Sequence, residues 1–209
     1  MSDGARLRTG ADIAAELARA DAEYRRAGFV TIEELCAGRP QTPDEVRALI
    51  GAGRLPQPAY VDEDGAELVP PDHLALADEA GGVQRLEERF RERYEAAARA
   101  LGDERALAQL DAEWEAYRGG AYGMCLREVT PEHIVEKDHL MRRVEALLER
   151  PAREDAAWLG ALRDAVDRLD ALERPFAPLD EHRLGARPSR RRLIDDVRAR
   201  YPELLVPPA

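Results

Sequence analysis

The chain has 209 residues and carries 31 basic against 42 acidic side chains, a net charge of −11 at neutral pH. With 44% hydrophobic and 35% charged residues it is a globular composition rather than a disordered one, long enough for one large domain or two small ones. The acid surplus argues against a nonspecific nucleic-acid coat, and no apolar run approaches the ~20 residues of a membrane span. Cys36 and Cys125 fit neither a disulfide framework nor a zinc spacing, and residues 1–30 lack the apolar centre of a signal peptide. A reducing cytoplasm is the expected compartment.

Taken in chain order, residues 11–27 predict a helix with Ile13, Leu17 and Tyr24 on one side, ended by Gly28. Thr31 with Glu34 forms a capping box for a short helix through Cys36. Thr42-Pro43-Asp44-Glu45 repeats the signal for a helix whose apolar face is Val46, Leu49 and Ile50. Tyr60-Val61 and Glu67-Leu68-Val69 flank an Asp-Gly turn and predict a hairpin, and Pro71-Asp72 opens another helix. Gly81-Gly82 divides this part, residues 1–80, from residues 83–209.

The second part is almost all helix. Val83, Leu86, Phe90, Tyr94 and Leu101 run at helical spacing, as do Leu107, Leu110, Trp114 and Tyr117. Residues 121–129 read as a connector or short strand after Gly119-Gly120. Thr130-Pro131 then caps a helix to about Leu148, Leu159 to Leu169 mark another, and Ser189 opens the last, to about Tyr201. The predicted fold class is mainly α: a winged-helix-like N-terminal part with a small β-hairpin, followed by an α-helical bundle.

Residues 28–80, from Val30-Thr31-Ile32-Glu33-Glu34-Leu35 through the Thr42 helix to Gly53-Arg54-Leu55-Pro56 and the hairpin, resemble a MerR-type winged helix. That resemblance implies DNA reading by the second helix and the wing. Duplex binding needs cations facing phosphate, whereas this segment carries 11 acids and three arginines, so DNA is not the expected partner. Tyr122-Gly123-Met124-Cys125-Leu126-Arg127, Leu169–Phe176 and Ser189–Ile194 resemble a family of uncharacterised natural-product biosynthesis proteins from high-GC bacteria. The resemblance implies an accessory protein or cofactor-free enzyme near secondary-metabolite pathways, partnered by a small-molecule intermediate or a carrier protein. A MerR-like regulator with a ligand-sensing or dimerising helical part is the alternative, and a pure protein–protein scaffold a third.

Thirty of the 31 cations are arginine; the one lysine, Lys137, falls with His133 inside the apolar stripe of Ile134, Leu140, Met141 and Val144. Polar groups on a core-facing stripe mark a candidate site. Burial would lower both pKa values, making Lys137 a nucleophile or base and His133 an acid or base, with Arg127 and Glu128 lining the same pocket. The competing reading has His133 in an exposed first turn and Lys137 snorkelling past apolar surface. Ser189, Arg190, Arg191 and Arg192 put three cations in the first turn of a helix, where the dipole disfavours them unless an anion docks there; pairing with the chain's own acids is the alternative. Glu136 and His139 have the spacing of a carboxylate di-iron pair but no second such pair to match. Cys125 reads as a small buried apolar residue. Neither a phosphate loop nor a dinucleotide or metalloprotease fingerprint occurs, so no cofactor and no metal is expected.

Overall fold

A computed structural model describes residues 9–205; the first eight residues of the stretch read for a leader lie outside it. Helix α1 (Gly10–Gly28) starts on a capping box in which Thr9 and Asp12 satisfy each other's backbone N–H groups. The expected apolar side of this helix does not pack: residues 10–20 are all exposed, Ile13 and Leu17 included. Only the last two turns meet the body, where Asp21 is buried and Tyr24 joins Phe29, Tyr60 and Leu68 in a small apolar cluster.

Strand β1 (Val30–Thr31) leads into α2 (Ile32–Cys36), and α3 (Pro43–Gly51) follows; both helices carry the predicted Thr–Glu capping boxes. Strands β2 (Tyr60–Val61) and β3 (Glu67–Val69) form the hairpin, and β1 pairs antiparallel on the other edge of β3, giving the order β1-β3-β2. The Pro71-Asp72 segment is turn rather than helix, and α4 spans Ala75–Glu79.

Helices α5 (Leu86–Ala100) and α6 (Glu104–Arg118) lean together through Phe90, whose ring lies 5.2 Å from Trp114 and 4.9 Å from Tyr117. Helices α7 (Pro131–Glu149) and α8 (Ala156–Leu172) complete the bundle, burying Ile134, Val144, Leu162, Val166 and Leu169. At roughly 1.5–3 kcal/mol for each fully buried large apolar side chain, this stripe is what makes the four helices a body. One apolar core runs from Ile32 to Leu204, so the first part and the bundle share it. The connector after α6 passes so close to Gln57 that a Cβ on Gly120 would sit 2.6 Å from its carbonyl oxygen, at a φ of +77° that only glycine adopts freely.

Helix α9 (Asp180–Leu184) precedes the last helical segment. It is not the uniform helix predicted from Ser189: after two residues it widens into a π-helical stretch, Arg191–Asp195, before α10 (Asp196–Arg200). The wide turn brings Leu193, Ile194 and Val197 all into the core. The described residues thus form a mainly α protein with one small sheet, and none of their helices is long and apolar enough to cross a membrane.

Candidate functional site

The site is assembled by α7, the end of α8 and the connector. Thr130 caps α7 by accepting a hydrogen bond from the His133 amide, and Pro131 opens the helix. The buried face of α7 is Ile134, Val135, Lys137, Leu140 and Val144. Lys137 is 8% exposed, so the polar break in the apolar stripe is an enclosed ammonium and not a snorkelling one. Where α8 ends, the chain runs antiparallel beside the connector: the Arg127 amide donates to the Leu172 carbonyl and the Arg174 amide to the Cys125 carbonyl, each over 2.9 Å. That pairing sets Glu173 and Cys125 against Lys137.

Glu173 is the centre of the cluster and is wholly buried. Its Oε1 accepts from Lys137 Nζ at 3.1 Å and from Ser189 Oγ at 2.6 Å, while Arg190 Nη1 donates to its backbone carbonyl at 3.1 Å. Its Oε2 is enclosed without a donor among the described residues. The Ser189 hydroxyl, read from sequence as a helix cap, reaches inward to this carboxylate instead, because a buried charge outcompetes a backbone amide that water can satisfy. Lys137 and the Ser189–Arg190 segment, 52 positions apart and read separately from sequence, therefore meet through one residue that sequence reading missed.

The protonation of Lys137 reverses the expectation. Burial alone would push its pKa down, but the Cys125 sulfur and the Glu173 carboxylate, both within hydrogen-bonding reach, hold it above the ordinary lysine value. At neutral pH this is an ammonium donor, not a free amine nucleophile. Nearby, burial and the neighbouring Asp138 push the Glu113 carboxyl up, and it accepts the Tyr122 hydroxyl hydrogen.

The other predicted residues do not converge on Lys137. His133 is half-buried in the first turn of α7, its Nδ1 3.1 Å from the Glu128 carbonyl oxygen, while Arg127 and Glu128 are exposed on the connector. Arg190 pairs with Asp170, Arg191 lies 3.7 Å from Glu181, and Arg192 lies 2.6 Å from Glu145. Glu136 binds Arg168 and His139 faces Asp103, so the two are held apart by different partners. Among the described residues, His, Cys, Asp and Glu form no group of three that could hold a metal.

A cavity of about 190 Å³ opens beside the cluster, between the chain that follows Glu173 and the chain around Ser189. Pro175, Phe176 and Pro188 wall it, and its charged lining is Arg190 and Arg191 with Glu181 and Asp195. It is a small polar-rimmed recess with an apolar wall, the composition of a small-molecule site. Neither Lys137 nor Glu173 reaches it; they form the rigid layer behind Arg190 and Ser189.

The curated proteins and the solved structures contain no match to this chain. A match does extend over residues 86–202, which include α5 to α10, the Glu173 cluster and the recess. On that match, covering more than half of its length, the chain belongs to the family of unknown function DUF6058.

Proposed function

We propose that the chain is a cytoplasmic accessory protein of natural-product biosynthesis that holds a small pathway intermediate, or the end of a carrier-bound one, in the recess beside Glu173. The observation that carries this reading is the division of labour at the site. The ionisable groups at its centre are engaged with each other and shielded, which suits a rigid support, whereas the adjoining recess is open and presents paired cations and carboxylates on an apolar wall. Handling is favoured over chemistry through Lys137, because a protonated lysine already bound to a carboxylate is a poor base and a poor nucleophile.

The regulator reading has less support. Arg47, the cation of α3, is held by Glu33 and Glu67, and Arg25, the cation beside the wing, is held by Asp62, so the cations a duplex would need face carboxylates of the chain. Disrupting the gene in its source organism should abolish or truncate a secondary metabolite in extracts profiled by mass spectrometry. Re-supplying the wild-type chain should restore it, and Pro178→Trp, which fills the recess from an exposed position, should not, although its melting temperature stays normal. Full restoration by Pro178→Trp would remove the recess from the account, and an unchanged metabolite profile after disruption would remove the reading itself. Tight duplex binding at low salt would install the regulator in its place.

A further inference from the structure

Seven side chains of Asp, Glu, His, Lys or Arg are buried among the described residues: Asp21, His73, Asp103, Lys137, Glu173, Arg174 and Asp180. Asp21 and Asp180 face Arg183, Asp103 faces Arg142, and Lys137 faces Glu173. Burial holds His73 at a pKa of about 4, so it is neutral at physiological pH. Arg174 is the exception. It is 9% exposed, cannot shed its charge, and makes no ion pair with a described residue. Its Nε donates to the Leu126 carbonyl at 2.8 Å, Nη1 to Gly28 at 3.0 Å and Nη2 to Arg127 at 3.2 Å, and the guanidinium carbon lies 4.5 Å from the centre of the Phe29 ring. These contacts fix the fork in place, leave one N–H on each terminal nitrogen without an acceptor among the described residues, and supply no negative charge.

Arg174 also lines a cleft of about 330 Å³ with Tyr24, Ala27, Gly28, Arg127 and Pro175. Arg127 is exposed and also forms no ion pair with a described residue. The charged lining is therefore two arginines and no acid, in a chain with 42 acids against 31 bases. Tyr24 donates its hydroxyl hydrogen to the Pro175 carbonyl, which closes one wall with an aromatic face. A fixed, uncompensated guanidinium with free N–H groups beside a second, movable one is the arrangement that recognises an oxyanion with two charges, and the cleft is larger than the anion alone. We propose that this cleft binds the phosphate of a small phosphomonoester, with Arg174 as the fixed half of the clamp, Arg127 as the mobile half, and the organic body lying along Tyr24, Ala27 and Pro175. The site is separate from the recess at Arg190, from which Pro175 divides it. It deepens the handling role proposed above and rests on that role only for its biological meaning.

The test is calorimetric titration of the full chain at low salt with 4′-phosphopantetheine, with unphosphorylated pantetheine, and with inorganic phosphate. Phosphopantetheine should bind and pantetheine should not, inorganic phosphate should bind more weakly, and Arg127→Glu should reduce phosphopantetheine affinity at least tenfold without unfolding the chain. Equal binding of the phosphorylated and unphosphorylated compounds, absence of binding by the wild-type chain, or indifference to Arg127→Glu would each overturn the proposal. The same titration with a carrier protein bearing the phosphodiester-linked arm separates the sources: binding as tight as that of the monoester would overturn the preference for a free dianionic group. Failure of these titrations alongside a metabolic loss in Pro178→Trp would discard the cleft and keep the accessory role.

Discussion

Lys137 and Arg174 are two cations at almost the same depth, on either side of one antiparallel contact between the connector and the end of α8, and the fold treats them in opposite ways. Lys137 has a full counter-charge in Glu173. Arg174 has backbone carbonyls and the face of Phe29, no carboxylate among the described residues, and it lines a cleft. The pair neutralises itself and so tends to support structure; the caged cation carries an unmatched charge that an incoming anion can match. Burial by itself is thus no guide to function, and what distinguishes the two is whether the charge is answered inside the chain.

The largest effect expected from breaking this contrast is at Glu173. Glu173→Leu strands a buried ammonium and should cost about 3–5 kcal/mol in urea unfolding, while the double variant with Lys137→Met should recover most of that loss. Additive losses would show that the two groups do not act as a pair. A third solution to a buried ionisable group is His73, which stays neutral. Its folded pKa of about 4 lies below the ordinary value near 6.5, so the unfolded chain takes up a proton first as pH falls. Its contribution is whole above about pH 6.5 and declines toward pH 4 by as much as about 3 kcal/mol, and His73→Leu should flatten that part of the stability–pH curve.

Asp103 sharpens the comparison at lower pH. Burial opposes its ionisation, but Arg142, the Ala106 amide and His139 together take its pKa down to about 2. Its stabilisation is therefore present above about pH 4 and lost between there and about pH 2, and Asp103→Asn should shift acid unfolding monitored by circular dichroism to higher pH. Thr130→Ala removes the cap of the helix that positions Lys137 and should cost about 1 kcal/mol in thermal unfolding. The smallest effect, and the one with the opposite sign, belongs to Arg127→Glu: a carboxylate beside the unanswered Arg174 should raise the melting temperature slightly, by up to about 1 kcal/mol of stability.

The capping boxes at Thr31 and Thr42, the Asp-Gly hairpin, the aromatic stripe of α5 and α6 and the position of Lys137 on a core-facing stripe were all legible from residue spacing, which leaves open whether that lysine is enclosed or snorkels. Each depends on neighbours within one or two turns. The exposed face of α1, the π-helical stretch and the inward turn of Ser189 were not, since each is decided by what lies across from it. Ile13 and Leu17 have the spacing of a packed face and no partner among the described residues to pack on. Glu173 and Arg174 gave no local signal either: two charged residues after an apolar helix look like a solvated end until the connector is laid over them.

The sequence by itself determined the helical class, the element order and the misplaced lysine, because hydrophobic period and end-capping are properties of short segments. Tertiary structure alone decided that the lysine's charge is answered and the neighbouring arginine's is not. Charge compensation depends on which groups come within a few ångströms, and here those groups lie 36 to 146 positions apart in the chain.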